Sequence, residues 1–284
     1  MTSPSFRLYG IFGFPLTHTL SPRMQEAAFR AAGLKAFYLP FEVRREEFHR
    51  LMRRSRSLVL DGFNVTVPYK EEIVRYLDSV SPSARAIGAV NTVVRRGRRW
   101  VGFNTDETGF IASLEKEARF HSRGKTALIL GSGGSARAVA YGLARRGARR
   151  IVIANRTLER AKGMVLRFRK IFPRIQWEYG KLNRAAKDAE EINLVVNATS
   201  AGLKPSDRPL VSPKAFPKKA LFVDLIYNPS ETRFLRIARQ TGHPTLNGLG
   251  MLVYQGAEAF RLWTGRKAPV ALMRTELKKG LRND

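Results

Sequence analysis

The chain has 284 residues, of which 44% are apolar and 26% charged, and its 51 Lys and Arg against 23 Asp and Glu give a formal net charge of +28. It contains no cysteine, which excludes disulfides, a thiol nucleophile and cysteine-bound metals. Its apolar runs are far shorter than the ~20 residues of a membrane-spanning helix, and its first residues lack the pattern of a secretory signal. These features predict a metal-free, cytoplasmic, two-domain protein.

The excess of basic residues has two interpretations. It is typical of nucleic-acid-binding proteins, because each phosphate contact needs a cation. Here, however, the cations occur as doublets along the whole chain, and the densest block, residues 95–99, lies between two strand patterns. Solvated basic faces are therefore the favoured interpretation, and the same positive field would attract an anionic small molecule.

The first hundred residues alternate between strand and helix patterns. Strands are predicted over residues 7–13, 36–43, 58–66, 90–94 and 100–103. Helices are predicted over residues 21–32 and 71–77. The last two strands flank the basic block and predict a hairpin. Alternating strands and helices are typical of an α/β domain with a mostly parallel sheet.

A second alternating series begins near Thr105, which we expect to cap a helix. Its predicted strands cover residues 126–130, 151–154, 194–197 and 221–224. Its predicted helices cover residues 105–117, 136–146, 158–171, 249–262 and 270–281. The chain is therefore predicted to hold two α/β domains.

A glycine-rich turn joins the strand over 126–130 to the next helix. It reads Gly131-Ser132-Gly133-Gly134-Ser135-Ala136. In such a turn the first glycine permits the tight bend, the second lets the backbone approach a pyrophosphate, and the small sixth residue lets helix and strand pack closely. The pattern predicts a dinucleotide site, although an ordinary βα turn has the same elements.

The end of the following strand indicates which dinucleotide is preferred. An NAD site places Asp or Glu there for the ribose hydroxyls, whereas this chain has Asn155-Arg156-Thr157, with Arg160 one helical turn later. Arg156 and Arg160 could hold a 2′-phosphate and Thr157 could donate a hydroxyl. NADP is therefore predicted over NAD.

Further motifs run through nearly the whole chain. In order they are His18-Thr19-Leu20-Ser21-Pro22, Asn64-Val65-Thr66-Val67-Pro68-Tyr69-Lys70, Gly88-Ala89-Val90-Asn91-Thr92, Gly102-Phe103-Asn104-Thr105-Asp106, Asn197-Ala198-Thr199-Ser200 and Asn247-Gly248-Leu249-Gly250-Met251-Leu252-Val253-Tyr254-Gln255. Together with the glycine-rich turn, this combination resembles the shikimate dehydrogenase family, whose members reduce 3-dehydroshikimate with NADPH.

The resemblance implies a domain assignment and a reaction. Residues 1–105, completed by 245–284, would form the substrate-binding domain, and residues 106–244 a Rossmann-type NADP-binding domain. The implied reaction is the reversible reduction of 3-dehydroshikimate to shikimate by hydride transfer at C3, in chorismate and aromatic amino acid biosynthesis. The implied assembly is a monomer or homodimer.

The resemblance also implies that Lys70 and Asp106 form the catalytic pair. Hydride addition to a ketone leaves an oxyanion that needs a proton, and an ammonium beside the carbonyl can polarise it and supply that proton. Outside its motif, Lys70 would be taken as a surface residue, and Asp106 as a carboxylate favoured at a helix start. Which of the two transfers the proton stays open.

The remaining implied residues contact substrate or cofactor. The residues implied to contact the substrate are Thr19, Ser21, Thr66, Asn91, Tyr227 and Gln255. The residues implied to line the nicotinamide pocket of the cofactor are Thr199, Ile226, Gly248 and Met251. Thr19 and Ser21 lie two residues apart, so in extended backbone both hydroxyls would point the same way.

Two alternatives to a strict shikimate dehydrogenase stay open. Thr19 stands where serine is commoner in the family, and its methyl narrows the pocket, so a broader quinate/shikimate dehydrogenase, able to use NAD, is the nearer alternative. A basic nucleic-acid-binding protein that kept an enzyme fold is the more distant one.

Overall fold

The computed structural model describes residues 6–17, 19–185, 189–204 and 206–283, so His18 of the first motif lies outside the described residues. Contacts divide the chain into two compact units. The first unit comprises Met1–Thr108 and Val253–Asp284, and the second comprises Gly109–Leu252. Residues 245–252, which were expected to complete the first domain, lie in the second unit, because Thr245–Leu246 extends its sheet.

The first unit is built on a six-stranded sheet. Its strands are β1 (Arg7–Gly13), β2 (Ala36–Glu42), β3 (Gly62–Val65), β4 (Ser79–Val80), β5 (Thr92–Arg96) and β6 (Arg99–Phe103). Their order is β2-β1-β3-β5-β6-β4. β1 is parallel to both neighbours, whereas β5 is antiparallel to β3 and β6. β4 is parallel to β6, so three of the five pairings are parallel as predicted, and the sheet is mixed because the predicted hairpin places β5 antiparallel to both of its neighbours.

The second unit has a six-stranded sheet that is parallel throughout its described pairings. Its strands are β7 (Thr126–Leu130), β8 (Arg150–Asn155), β9 (Gln176–Lys181), β10 (Leu194–Asn197), β11 (Leu221–Asp224) and β12 (Thr245–Leu246). Their order is β12-β11-β10-β7-β8-β9, and neighbouring strands pair in parallel. Central strands such as β7 and β10 are completely buried, and their carboxyl ends lie side by side at one sheet edge.

Among the described residues, six α-helices follow the predicted spans and three were not predicted, and the helix expected over 71–77 is a 3₁₀ helix, Glu72–Tyr76. The α-helices are α1 (Ser21–Ala31), α2 (Arg45–Arg53), α3 (Pro82–Ile87), α4 (Thr105–Lys116), α5 (Gly134–Arg145), α6 (Leu158–Ile171), α7 (Arg233–Gln240), α8 (Leu249–Thr264) and α9 (Val270–Asn283). Among the described residues, none of these helices is long and apolar enough to cross a membrane.

Two further local predictions differ from the structure. The strand expected over 58–66 is confined to β3. Arg95 Nη1 donates hydrogen bonds to the carbonyl oxygens of Leu58 and Leu60 at 2.9 and 3.2 Å, so these carbonyls bind a side chain instead of a neighbouring strand. The cap of α4 is Asn104, whose Oδ1 accepts from the backbone N–H of Glu107 at 3.2 Å. Thr105 is instead the first residue of that helix.

Several other basic side chains also bind backbone carbonyls. Arg169 Nη2 lies 2.9 Å from the carbonyl of Trp177, Lys218 Nζ lies 2.5 Å from that of Thr241, and Arg266 Nη1 lies 2.5 Å from that of Ala32. We call these three residues and Arg95 the carbonyl-bound cations. Part of the basic excess therefore has a structural role that needs no carboxylate.

Candidate active site

A buried ion pair joins two of the predicted residues. Lys70 lies in the turn after β3, and Asp106 lies in the first turn of α4. Lys70 Nζ and Asp106 Oδ2 are 2.6 Å apart, and their side chains are only 13% and 6% exposed. Such a pair holds an ammonium close to a carboxylate in a largely desolvated position, where charge interactions are stronger than in water.

Asn91 connects this pair to its surroundings. Its Nδ2 donates to Asp106 Oδ1 at 2.8 Å and to Gln255 Oε1 at 3.3 Å. The backbone N–H of Thr105 donates to Asn91 Oδ1 at 2.7 Å, which fixes the orientation of the amide. The structure thus brings together Lys70, Asn91, Asp106 and Gln255, which are far apart in the sequence.

The other predicted substrate residues of the first unit, Thr66, Thr19 and Ser21, make hydrogen bonds that involve backbone groups rather than the ion pair. Thr66 directly follows β3, and its backbone N–H donates to the carbonyl of Phe12 at 2.8 Å. Thr19 Oγ1 accepts from the backbone N–H of Ser21 at 3.5 Å. The residue between them, Leu20, has φ −94° and ψ 0°, so the expectation of an extended backbone here is wrong. Helix α1 starts immediately afterwards, and this bends the chain.

Four further polar residues near the ion pair were not predicted as site residues from the sequence. They are Tyr38, Asn64, Thr92 and Thr105, all at most 6% exposed. Thr92 Oγ1 lies 3.1 Å from Thr105 Oγ1 and 3.0 Å from Asn64 Nδ2. For Tyr38, Asn64 and Thr92, which lie in strands, the available signal was a polar group among apolar neighbours, because buried polar groups need hydrogen-bond partners.

The glycine-rich turn of the second unit lies between β7 and α5. Gly131 has φ +113°, and a Cβ there would lie 2.9 Å from the carbonyl oxygen of Ala198, so glycine is required. At Gly133 a Cβ would meet nothing within 4 Å, which leaves space for a group to approach the backbone. Helix α5 begins at Gly134, two residues earlier than predicted, and helix starts bind phosphates through their N–H groups.

The residues predicted to select the dinucleotide lie at the end of β8, which neighbours β7. Asn155 Nδ2 donates to the carbonyl of Thr157 at 2.9 Å. Thr157 stands at the start of α6 without using its side chain as a cap. Arg156, Thr157 and Arg160 are exposed. This basic corner and the open backbone at Gly133 fit a dinucleotide that carries an additional phosphate.

A buried carboxylate orders the loops after β10 and β11. Asp224 is fully buried, and burial raises its pKa against the lowering effect of its hydrogen bonds. Its Oδ1 accepts from Asn197 Nδ2 and from the backbone N–H of Ile226, both at 3.1 Å. Asn197 Oδ1 in turn accepts from Thr199 Oγ1 at 2.7 Å. Asp224 therefore holds Thr199 and Ile226, two of the predicted nicotinamide residues, through hydrogen bonds.

The other predicted residues of this unit lie close to these loops. A Cβ on Gly248 would collide with the backbone of Leu225. Tyr227 is half-buried directly after Ile226, and Met251 is buried in the first turn of α8. Within the described ranges, metal-binding side chains do not gather in groups of three or more.

A parallel sheet with this turn, together with a buried Lys–Asp pair in a separate α/β unit, defines the class of dinucleotide-dependent oxidoreductases. Comparison of the sequence with family models gives three matches, all to shikimate dehydrogenase domains. Residues 11–93 match the shikimate dehydrogenase substrate binding domain, residues 113–232 match shikimate / quinate 5-dehydrogenase, and residues 248–278 match the shikimate 5'-dehydrogenase C-terminal domain.

Individual proteins agree with these matches. Shikimate dehydrogenase (NADP(+)) of Moorella thermoacetica is 45% identical over 278 residues, which is 96% of this chain and 93% of that protein. A shikimate dehydrogenase crystal structure in complex with NADP+ superposes with a TM-score of 0.90 at 35% identity, over 99% of this chain and 98% of the other. The Thermus thermophilus shikimate 5-dehydrogenase in complex with NADP(H) and shikimate gives 0.85 at 38% identity, over 97% and 100%. This chain belongs to the shikimate dehydrogenase family.

Proposed function

We propose that this chain catalyses the reversible, NADPH-dependent reduction of 3-dehydroshikimate to shikimate, a step of chorismate and aromatic amino acid biosynthesis. The observation that carries the proposal is the buried contact of Lys70 with Asp106, to which Asn91 is hydrogen-bonded, and Asn91 in turn is hydrogen-bonded to Gln255. A ketone reduction needs a proton donor and hydroxyl-binding groups, and this cluster supplies both.

The cluster moves a proton while NADPH, when bound, supplies the hydride to C3. The Lys70 ammonium polarises the substrate carbonyl, and the Lys70–Asp106 pair gives a proton to the oxyanion and takes it back in the reverse direction. Asp106, held by Asn91, keeps the ammonium in position. Because the contact between the two side chains is built into the fold, less reorganisation is needed during the reaction.

Binding is divided between the two units. In the first, Thr19 and Ser21 hold the substrate carboxylate, while Thr66, Asn91 and Gln255 hold the ring hydroxyls. In the second, the glycine-rich turn binds the pyrophosphate. Arg156, Thr157 and Arg160 bind the 2′-phosphate, because guanidinium groups pair with phosphate oxygens.

The remaining assignments in the second unit concern the nicotinamide end of the cofactor. Thr199, Ile226, Gly248 and Met251 line its site, and the role of Tyr227 as a substrate contact stays a prediction. The exposed cations need no nucleic-acid partner for this function. Cytoplasmic location and a monomeric or dimeric state stay predictions.

A broader quinate/shikimate dehydrogenase is the second candidate, favoured by Thr19. Its Oγ1 faces the backbone N–H of Ser21, so its methyl occupies space that serine would leave open. A smaller pocket beside the substrate carboxylate changes the position of the substrate ring, and this alters the discrimination between shikimate and quinate.

Absorbance at 340 nm, measured with shikimate or quinate and with NADP⁺ or NAD⁺, tests these proposals. Turnover restricted to shikimate and NADP⁺ supports the first, and comparable use of quinate or NAD⁺ supports the second. Absence of turnover by folded protein in every combination contradicts both, and salt-sensitive duplex binding would then favour a nucleic-acid partner.

A further inference from the structure

A buried threonine connects strand β3 with the residues around the ion pair. Thr92 is the first residue of β5 and is completely buried. Three side-chain atoms lie within hydrogen-bond distance of its Oγ1, namely Asn64 Nδ2 at 3.0 Å, Thr105 Oγ1 at 3.1 Å and Asn91 Oδ1 at 3.2 Å. Thr92 belongs to the motif over residues 88–92, in which the resemblance assigned a role only to Asn91. Its hydroxyl is enclosed by polar partners and is out of reach of a ligand.

The direction of these hydrogen bonds follows from the groups that only donate or only accept. The backbone carbonyl of Asn91 only accepts, so the amide nitrogen of Asn64, 2.9 Å away, faces it and also donates to Thr92. The backbone N–H of Thr105 only donates, so Asn91 Oδ1 faces it and the Asn91 amide nitrogen faces Asp106. Because Thr92 accepts from Asn64, its own proton is free for the acceptors on the other side.

Both acceptors within reach of that proton lie next to Asp106. One is Asn91 Oδ1, and Nδ2 of the same amide donates to Asp106 Oδ1 at 2.8 Å. The other is the hydroxyl of Thr105, the residue directly before Asp106, which itself donates to Asn91 Oδ1 at 3.3 Å. Directly or through Thr105, the Thr92 hydroxyl therefore supports the amide that binds the carboxylate. Hydrogen bonds that follow one another in this way strengthen each other.

We propose that Thr92 is a positioning residue of the Lys70–Asp106 pair, because its hydroxyl fixes the Asn91 amide. That amide holds the Asp106 carboxylate, which contacts Lys70. The inference rests on the proposed function, since it takes this pair as the groups that move the proton. Without the Thr92 hydroxyl, the Asn91 amide is held only from the side of Thr105 and turns more freely. The carboxylate and the ammonium then spend less time in the geometry that the reaction needs.

The experiment compares Thr92→Val with wild type and with two further variants. Valine has nearly the shape of threonine and lacks the hydroxyl, whereas Thr92→Ser keeps it. The matched control is Thr126→Val: Thr126 is also completely buried, at the opposite end of β7 from the glycine-rich turn, and its Oγ1 accepts from Arg149 Nη2 at 3.1 Å. Both valine variants therefore lose one buried threonine hydroxyl that accepts a hydrogen bond.

We expect Thr92→Val to lower kcat for shikimate oxidation roughly tenfold, which corresponds to one buried hydrogen bond. KM for shikimate should rise less and KM for NADP⁺ should stay unchanged. Thr92→Ser should restore most of kcat, and Thr126→Val should keep the wild-type kcat. If Thr92→Val does not fold, Thr92→Ala removes the same hydroxyl with less crowding and should give the same loss of kcat.

Three results would overturn the inference while the proposed function stands. The first is wild-type kcat in Thr92→Val with thermal stability lowered as in Thr126→Val, which would make the hydroxyl purely structural. The second is a Thr92→Ser variant as slow as Thr92→Val. The third comes from a double-variant cycle: because Thr92 acts through Asn91, we expect Asn91→Ala to absorb most of the effect of Thr92→Val, and additive losses would contradict this. Absence of shikimate turnover by folded wild-type protein would instead overturn the proposed function and this inference with it.

Discussion

Replacing Lys70 by methionine separates the structural and chemical contributions of the ion pair. The side chains of Lys70 and Asp106 are 13% and 6% exposed, and the charged atoms are 2.6 Å apart. Methionine fills much of the same space but leaves the carboxylate buried without its cation. Breaking a buried pair on one side costs about 3 kcal/mol of unfolding free energy. Loss of a positioned proton donor lowers kcat by roughly 10²- to 10⁴-fold.

The double variant Lys70→Met/Asp106→Asn gives the sharper result. Asparagine removes the orphaned charge while its Oδ1 still accepts from Asn91, so we expect most of the lost stability to return although kcat stays low. Urea denaturation measures the first quantity and absorbance at 340 nm the second, with exposed Lys35→Met as the control. The reasoning fails if the double variant is no more stable than Lys70→Met, or if either variant retains near-wild-type kcat.

Three further changes have defined outcomes. Arg156→Ala removes one of the guanidinium groups proposed to bind the 2′-phosphate, and should raise KM for NADP⁺ roughly ten- to thirtyfold with little change in KM for NAD⁺. An equal rise in both KM values would contradict the assignment of Arg156 to the 2′-phosphate. Burial raises the pKa of Asp224 above its ordinary 3.8 in the folded state, so the unfolding free energy should fall as pH rises from below 3.8 through the raised pKa. Asp224→Asn should flatten that slope in urea titrations at several pH values. Gly131→Ala should destabilise by about 1–3 kcal/mol, because φ is +113° and Ala198 is too close; unchanged thermal unfolding would show that the turn can relax.

Much of the second unit could be predicted because its strands are buried on both faces. Residues 194–197 and 221–224 are short apolar runs, and both appear as strands with the predicted bounds. Such runs are typical of parallel sheets covered by helices. Edge strand β9 was missed, because it pairs on one side only and Trp177 is the single fully buried residue of its six.

Helix α2 was missed for a different reason. Its buried residues are Phe48 and Met52, one turn apart, and Arg and Glu fill most of its other positions. Phe48 and Met52 are, with Leu51, its three apolar residues, all within one turn, which is too short a span for a clear helical periodicity. Its stability depends on the core of the first unit, which includes both side chains, and a local pattern does not contain that information.

In the candidate site, too, some residues could be predicted from local sequence and others could not. Lys70 and Asp106 were found through motifs, whereas their spacing along the chain gave no reason to pair them. Tyr38 and Thr92 were not found, because each is a single polar residue in a strand whose partner comes from another part of the chain. Long-range hydrogen bonds of this kind are determined by sheet order, and the predicted hairpin did not indicate that its first strand, β5, pairs with β3.

The carbonyl-bound cations make the protein's net charge and its stability separable properties. Arg95 and Arg169 act as neutral donors would, and substituting them would break backbone contacts of Leu58, Leu60 and Trp177. An exposed cation such as Lys35 carries the same charge without such a bond in the described structure. A redesign that spares the first group and replaces residues of the second kind could therefore bring the charge of this chain close to neutrality while its fold is preserved.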